Sequence, residues 1–312
     1  MTSGMGWPDT ERTSGGHLGW PVSLDVSRET MEMADGVDRG APEDVSRETP
    51  WPAPPHRRVM AVANQKGGVG KTTSTVNLAA ALAQHGLRVL VIDLDPQGNA
   101  STALGIEHHA GVPSVYDVLI GGQSIADVAQ DVPDLPGLRC CPATIDLVGA
   151  EIELVSVVAR ETRLTRALDA VDDVDYVLID CPPSFGLLTI NAMVAGAEVL
   201  IPIQCEFYAL EGLSQLLKTV ELVKSQLNPA LSVSTILLTM YDARTRLADQ
   251  VAADVRNHFG ELVLDSVIPR SVRISEAPGF GQTVLTYDPT SRGALAYTAA
   301  AQDLNQRAGG NG

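Results

Sequence analysis

Two lysines bracket the glycine cluster of the segment AVANQKGGVGKTT, residues 61–73, and the residue types there suit the holding of phosphate groups. Gly67, Gly68 and Gly70 leave backbone N–H groups free to curl around phosphate oxygens, and a helix starting at the end of the loop would add the positive end of its dipole. Lys71 stands where a phosphate-loop lysine reaches the β- and γ-phosphates of a nucleotide, and the Thr72 hydroxyl suits Mg2+. The binding segment therefore reads as Lys66, Gly67, Gly68, Val69, Gly70, Lys71, Thr72 and Thr73. A loop of this kind needs only one lysine, which leaves Lys66 to be explained. A surface lysine beside a chance glycine cluster is the plain alternative, weakened by the strand, helix and hydroxyl signals that stand in register around it.

Those groups need elements to position them. Val59–Ala63 reads as a short buried strand before the loop, and Thr72–Gln84 carries Val76, Leu78, Ala79 and Leu82 at helical spacing after it. RVLVIDLDPQ, from Arg88, is an apolar run ending in Asp93 and Asp95, as a parallel strand delivers carboxylates to the C-terminal edge of its sheet. DYVLIDCPP, from Asp175, delivers Asp180 in the same way. A carboxylate at that place would hold Mg2+ through a water, because the ion gives up its hydration shell reluctantly. Helix capping is the alternative role for any one of these aspartates. Val199–Ile203, Val233–Leu238 and Leu264–Ile268 read as further strands, and Leu210–Leu227, Leu247–Phe259 and Gly293–Gln306 as helices. An α/β fold follows: a doubly wound, mostly parallel sheet with helices on both faces, of the P-loop NTPase kind.

The position of Lys66, just ahead of the first loop glycine, resembles that of the signature lysine of the deviant Walker A ATPases. The segments DLDPQGNA (Asp93–Ala100), PATIDLVGAEIEL (Pro142–Leu154), IDCPPSFGLLTINA (Ile179–Ala192), PIQCEFYALEGLSQL (Pro202–Leu216), LLTMYDARTRL (Leu237–Leu247) and IPRSVRISEAPGFG (Ile268–Gly281) narrow the likeness to one branch. In these the chain is similar to the chromosomal ParA/Soj family, over nearly all of Val59–Arg307. The resemblance implies an ATPase using ATP and Mg2+, with catalytic residues Lys66, Lys71 and Asp95, the last as the water-orienting aspartate, and with Thr72 and Asp180 at the metal. It implies a homodimer formed with ATP, in which Lys66 touches the partner's nucleotide, and non-specific binding to nucleoid DNA. It also implies a ParB-type centromere-binding partner and a cytoplasmic, nucleoid-associated location. Arg244, in a DART setting, matches an arginine the family uses for DNA contact; Arg270 and Arg273, around the strand end at Ile268, are the further candidates. Solvated loop arginines are the alternative, evenly weighed for Arg273 and for neighbouring Arg246.

Composition fits this picture and limits others. At 312 residues and 45% hydrophobic the chain can bury one large core. Its net charge of −16 excludes a protein that is basic throughout, but a local patch suffices for DNA. The four cysteines, Cys140, Cys141, Cys181 and Cys205, form no C-x-x-C pair, which argues against zinc, iron–sulfur and disulfide roles and for a reducing compartment. Residues 1–56 are rich in Gly, Pro, Ser and acidic residues and lack apolar periodicity, so they read as a disordered extension, with the ATPase domain at 57–308 and a flexible end at 309–312. No run approaches the roughly 20 apolar residues of a membrane span. A MinD-like membrane-cycling ATPase is the alternative function; the ending ALAYTAAAQDLNQRAGGNG makes a poor amphipathic anchor for one. A small-molecule kinase or ligase would need a substrate motif that the sequence does not display.

The extension holds the hexapeptide DVSRET twice, at Asp25–Thr30 and Asp44–Thr49. A bivalent partner-binding peptide and a simple local duplication are two explanations. A third acts on the gene. The centromere-like site associated with the family is a palindrome close to TGTTTCACGTGAAACA, and in the frame GAT-GTT-TCA-CGT-GAA-ACA it encodes Asp-Val-Ser-Arg-Glu-Thr. The expected result is that both copies are written in these codons and that the DNA is bound by a ParB partner. Synonymous codons that break the palindrome in either copy would return the repeat to the peptide explanations.

Overall fold

The computed structural model describes residues 50–206 and 209–309. Eight strands form one sheet: β1 (Arg58–Val62), β2 (Val89–Asp93), β3 (Gln130–Asp131), β4 (Leu138–Cys141), β5 (Tyr176–Asp180), β6 (Glu198–Gln204), β7 (Ser232–Tyr241) and β8 (Val263–Pro269). Their order is β3-β4-β2-β5-β1-β6-β7-β8, and every neighbouring pair is parallel except β3 with β4. The doubly wound, mostly parallel sheet expected from the sequence is the one observed.

Alternation along each strand explains why these runs read as continuously apolar. Val59 and Ala61 of β1, Leu90 and Ile92 of β2, and Val177 and Ile179 of β5 enter one core; Met60 and Val62, Val89 and Val91, and Tyr176 and Leu178 enter a second. A parallel sheet buried on both faces has no solvent side for polar residues to occupy. Helices Leu147–Leu154, Leu187–Ala195 and Arg246–Phe259 supply the first core, and Lys71–Gln84 with Arg292–Gly309 the second. Each fully buried leucine in these layers, such as Leu78 or Leu82, stabilises the fold by about 2 kcal/mol through burial alone.

Register places the chemistry. Val62 at the end of β1 pairs with Asp180 of β5, which pairs in turn with Asp93 of β2. The glycine loop and both strand-end carboxylates thus meet at the carboxyl edge, where the strand order switches direction around β1.

The expected disordered extension differs in its last residues. Residues 1–49, including both hexapeptides, and residues 310–312 lie outside the described residues. Trp51 is described: its indole stacks on the His85 ring at 3.8 Å and 16°, and its backbone N–H donates to the His85 carbonyl at 3.0 Å. Asn305 Nδ2 donates to the Pro52 carbonyl at 3.0 Å and accepts at Oδ1 from the Tyr176 hydroxyl at 2.7 Å. These two residues are tied to the domain by those contacts.

Candidate functional site

The loop between β1 and helix Lys71–Gln84 is pinned at both ends. Asn64 Nδ2 donates to the Pro202 carbonyl at 2.8 Å, while its Oδ1 accepts from the Lys66 N–H at 3.0 Å. At the far end Thr239 Oγ1 donates to the Val69 carbonyl at 2.8 Å. Gly68 and Gly70 take φ values of 72° and 90°, a left-handed geometry that other residues adopt only with strain. A Cβ built on Gly67 or Gly68 would meet no atom within 4 Å, so a cradle open to solvent lies over the loop. A row of backbone donors with room above it fits a triphosphate.

Lys71 is 6% exposed, and its Nζ donates to the Lys66 carbonyl at 3.4 Å. Burial lowers its pKa, against the pull of Asp180, Cys181 and Asp95. Thr72 Oγ1 donates to Asp180 Oδ2 at 2.7 Å, and Thr75 Oγ1 donates to Asp180 Oδ1 at 3.2 Å. Burial pushes the Asp180 carboxyl up to about 8, and the nearby Asp93 adds to the rise. A divalent cation would favour the ionised form of a carboxyl so placed, and with the Thr72 hydroxyl oxygen beside it the set offers the oxygen donors such an ion takes. The residues present therefore fit Mg2+.

Asp93 and Asp95 divide the work that the sequence suggests for both. Asp93 is fully buried, and its Oδ2 accepts from the Ser101 N–H at 2.9 Å and the Ser101 hydroxyl at 2.8 Å. Its Oδ1 accepts from the Asp95 N–H at 3.2 Å. Burial raises the Asp93 pKa to about 6, and the Ser101 donors oppose that rise. Asp93 is thus a clamp for the loop that carries Asp95, a role the strand-end position alone did not reveal. Asp95 keeps one oxygen on the Gln97 N–H at 3.0 Å, and its charge is felt at Lys71.

The Lys66 side chain pairs outside its own loop. Its Nζ lies 3.3 Å from Glu206 Oε2, and Glu206 Oε1 lies 3.5 Å from an Arg270 guanidinium nitrogen. The Gln204 amide also donates to that Oε1. Nothing in the sequence singled out Glu206, because a lone acid after a strand has no spacing that names its partner.

Two of the candidate arginines, Arg244 and Arg270, follow the ends of neighbouring strands. The Arg270 N–H donates to the Tyr241 carbonyl at 3.0 Å, which brings Arg270 beside the β7 end that leads to Arg244. Arg244 is 85% exposed on its side chain and forks onto Asp242 at 2.8 and 2.7 Å, which pulls the Asp242 pKa down to about 2. Arg273 lies in the helix Val272–Glu276, paired with Glu276 at 3.0 Å and Asp288 at 3.3 Å. Each candidate cation has a carboxylate partner in this chain.

Residues 57–233 match a family model described as an AAA domain. The chain is 53% identical over 248 residues to the sporulation initiation inhibitor protein Soj of Bacillus subtilis, covering 79% of this chain and 98% of that protein. It is 53% identical over 253 residues to the chromosome partitioning protein ParA of Caulobacter vibrioides, covering 80% and 94%. Among solved structures it is similar to the cobyrinic acid a,c-diamide synthase of Mycobacterium smegmatis with a bound ATP analog and magnesium. That match has a TM-score of 0.72 and 39% identity, and covers 82% of this chain and 98% of the other. It is also similar to the septum site-determining protein MinD of Pyrococcus horikoshii complexed with Mg-ADP, with a TM-score of 0.67 and 26% identity over 81% and 98% of the two chains.

Proposed function

The chain belongs to the ParA/Soj family of chromosome-partitioning ATPases, and we propose that it works as an ATP-driven switch that dimerises, holds DNA non-specifically and lets go after hydrolysis. The observation that carries this reading is the separation of the two lysines. Lys71 is buried in its own loop, whereas the Lys66 side chain is 38% exposed and, among the described residues, pairs with the part-exposed Glu206. A lysine stationed so can leave for a nucleotide held by a second copy at little cost, because an exposed ion pair is worth no more than about 1 kcal/mol.

In this reading Gly67–Thr73 cradle the phosphates of ATP, and Lys71 neutralises charge between the β- and γ-phosphates. Bound Mg2+, held by Thr72 and through a water by Asp180, would supply further neutralisation of the phosphate oxygens. Asp95 orients a water toward the γ-phosphorus; the new P–O bond forms as the bond to the bridging oxygen breaks, giving ADP and phosphate. Loss of the γ-phosphate removes what Lys66 contacts across the dimer, so separation follows. Acceleration by a ParB-type partner completes the cycle.

Two other readings have weaker support. A MinD-like role at a lipid surface finds no support in helix Arg292–Gly309, which buries Ala294, Tyr297, Ala300, Ala301 and Leu304 in the second core. Among the described residues no helix is long and apolar enough to cross a membrane. A synthase that draws nitrogen from an amide through a thiolate would need an accessible cysteine. All four cysteines here are buried, and burial pushes every one of their thiols up. Cosedimentation discriminates these readings: recovery with DNA in ATP but not ADP supports partition, and recovery with anionic liposomes instead would overturn it.

Arg244→Ala is expected to keep ATP-dependent dimerisation and lose most DNA binding. Each phosphate contact removed should also flatten the log–log salt dependence by about one unit per subunit. Gel shifts across a salt series measure both; an unchanged slope would move the patch away from Arg244.

A further inference from the structure

Glu206 is one carboxylate facing two cations of different proposed purpose. Lys66 lies on its Oε2 and Arg270 on its Oε1, with the Gln204 amide fixing the latter oxygen. The other acid–arginine pairs on this edge do not link the two activities. Asp242 and Arg244 are close neighbours in sequence, as are Glu276 and Arg273, so those contacts form within one turn or one short helix, and the longer-range contact of Arg273 with Asp288 does not involve Lys66. Glu206 instead reaches from the end of β6 to the glycine loop after β1 on one side and to the end of β8 on the other.

We propose that Glu206 is a positioning residue that restrains both halves of the switch, holding Lys66 in its own chain until a second copy takes it and tempering the grip of Arg270 on DNA. The proposal rests on the dimer and DNA contacts of the preceding subsection and adds the group that limits them. The Lys66 pair must break when Lys66 crosses to a partner's nucleotide, so it opposes dimerisation. Once Lys66 has left, the whole charge of Glu206 falls on Arg270, and the DNA-facing surface loses part of one cation per subunit at the moment it is assembled. A contact that must be made and released repeatedly is suited by such a limit.

Glu206→Gln is the direct test. The side chain keeps its length and an oxygen for the Gln204 amide and loses only the charge, and it is 46% exposed, so folding is expected to survive. The ATP concentration for half-maximal dimerisation, read by light scattering, is expected to fall about three- to fivefold, the range an exposed pair allows. The log–log salt dependence of DNA binding by the ATP-bound protein is expected to steepen, by at most about one unit per subunit, as Arg270 becomes free to meet phosphate. Adding Arg270→Ala should abolish the second effect and keep the first, and Glu206→Asp, which restores the charge, should move both back toward wild type. A general loosening of the structure would produce neither the steeper slope nor its selective loss. An ATP midpoint unchanged in Glu206→Gln overturns the restraint on Lys66, and an unchanged salt slope overturns that on Arg270. If wild-type protein neither dimerises with ATP nor binds DNA, the partition reading itself fails and takes this one with it; the Glu206 proposal fails alone when wild type does both and Glu206→Gln behaves identically.

Discussion

Lys71→Ala is expected to abolish nucleotide binding, while Lys66→Ala leaves the monomer able to bind ATP and prevents the ATP dimer. The two residues differ in what surrounds them. Lys71 is buried and lies within electrostatic reach of Asp180 and Asp95, so its removal would leave phosphate oxygens facing two carboxylates with no ammonium between them. Charge-assisted hydrogen bonds of this kind contribute roughly 1.5–3 kcal/mol each, and a lysine that meets two phosphates accounts for a loss of at least about a hundredfold in affinity. Lys66 contributes backbone groups to the loop, its carbonyl to Lys71 Nζ and its N–H to Asn64 Oδ1, and both survive the change to alanine. Titration with a fluorescent ATP analogue measures the first effect and size exclusion with ATP the second. A Lys66→Ala protein that dimerises as wild type does would remove the contact between subunits from the mechanism.

What the sequence could reveal depends on how local the physical cause is. The glycine loop was legible because φ near 70–90° and close backbone approach restrict the residue type at each position. The central strands were legible because burial on both faces leaves only apolar residues in them. Bounds shifted by one to three residues, as for β7, read as Val233–Leu238 and found as Ser232–Tyr241. The edge was harder. β4 is only Leu138–Cys141, and β3 is the polar pair Gln130–Asp131, joined to the sheet by backbone bonds that carry no side-chain pattern. Trp51, next to proline like the other two tryptophans, looked like part of a disordered tail; its partner His85 lies beyond the end of a helix, and nothing near Trp51 announces it. The same holds in the site. Asp93, Asp95 and Asp180 look alike as strand-end acids, yet only tertiary placement turns Asp93 onto Ser101 and leaves Asp95 near Lys71. Glu206 acquires its meaning from a lysine and an arginine that the fold, not the spacing, brings to it.

Asp95→Ala is expected to give a protein that binds ATP, dimerises and stays on DNA, with hydrolysis slowed about 10²- to 10⁴-fold, the range over which a group that positions or accepts a proton contributes. The groups that would hold the nucleotide do not depend on the Asp95 carboxylate. Thr72 and Thr75 are bonded to Asp180, and Lys71 to the Lys66 carbonyl. The loop itself is held by its backbone: the Asp95 N–H donates to Asp93 and the Asp95 carbonyl accepts from the Gly98 N–H at 2.9 Å, both of which alanine retains. Only the contact from the Gln97 N–H to the carboxylate is lost, together with whatever the second oxygen does for an attacking water. A binding defect and a chemical defect should therefore separate cleanly. Single-turnover hydrolysis of bound ATP reads the chemical step, and DNA retention after a chase with ADP reads the release that depends on it. If Asp95→Ala hydrolyses ATP at the wild-type rate, water orientation belongs to another group. If instead the protein fails to bind ATP, the carboxylate has a part in the cradle that its hydrogen bonds do not disclose.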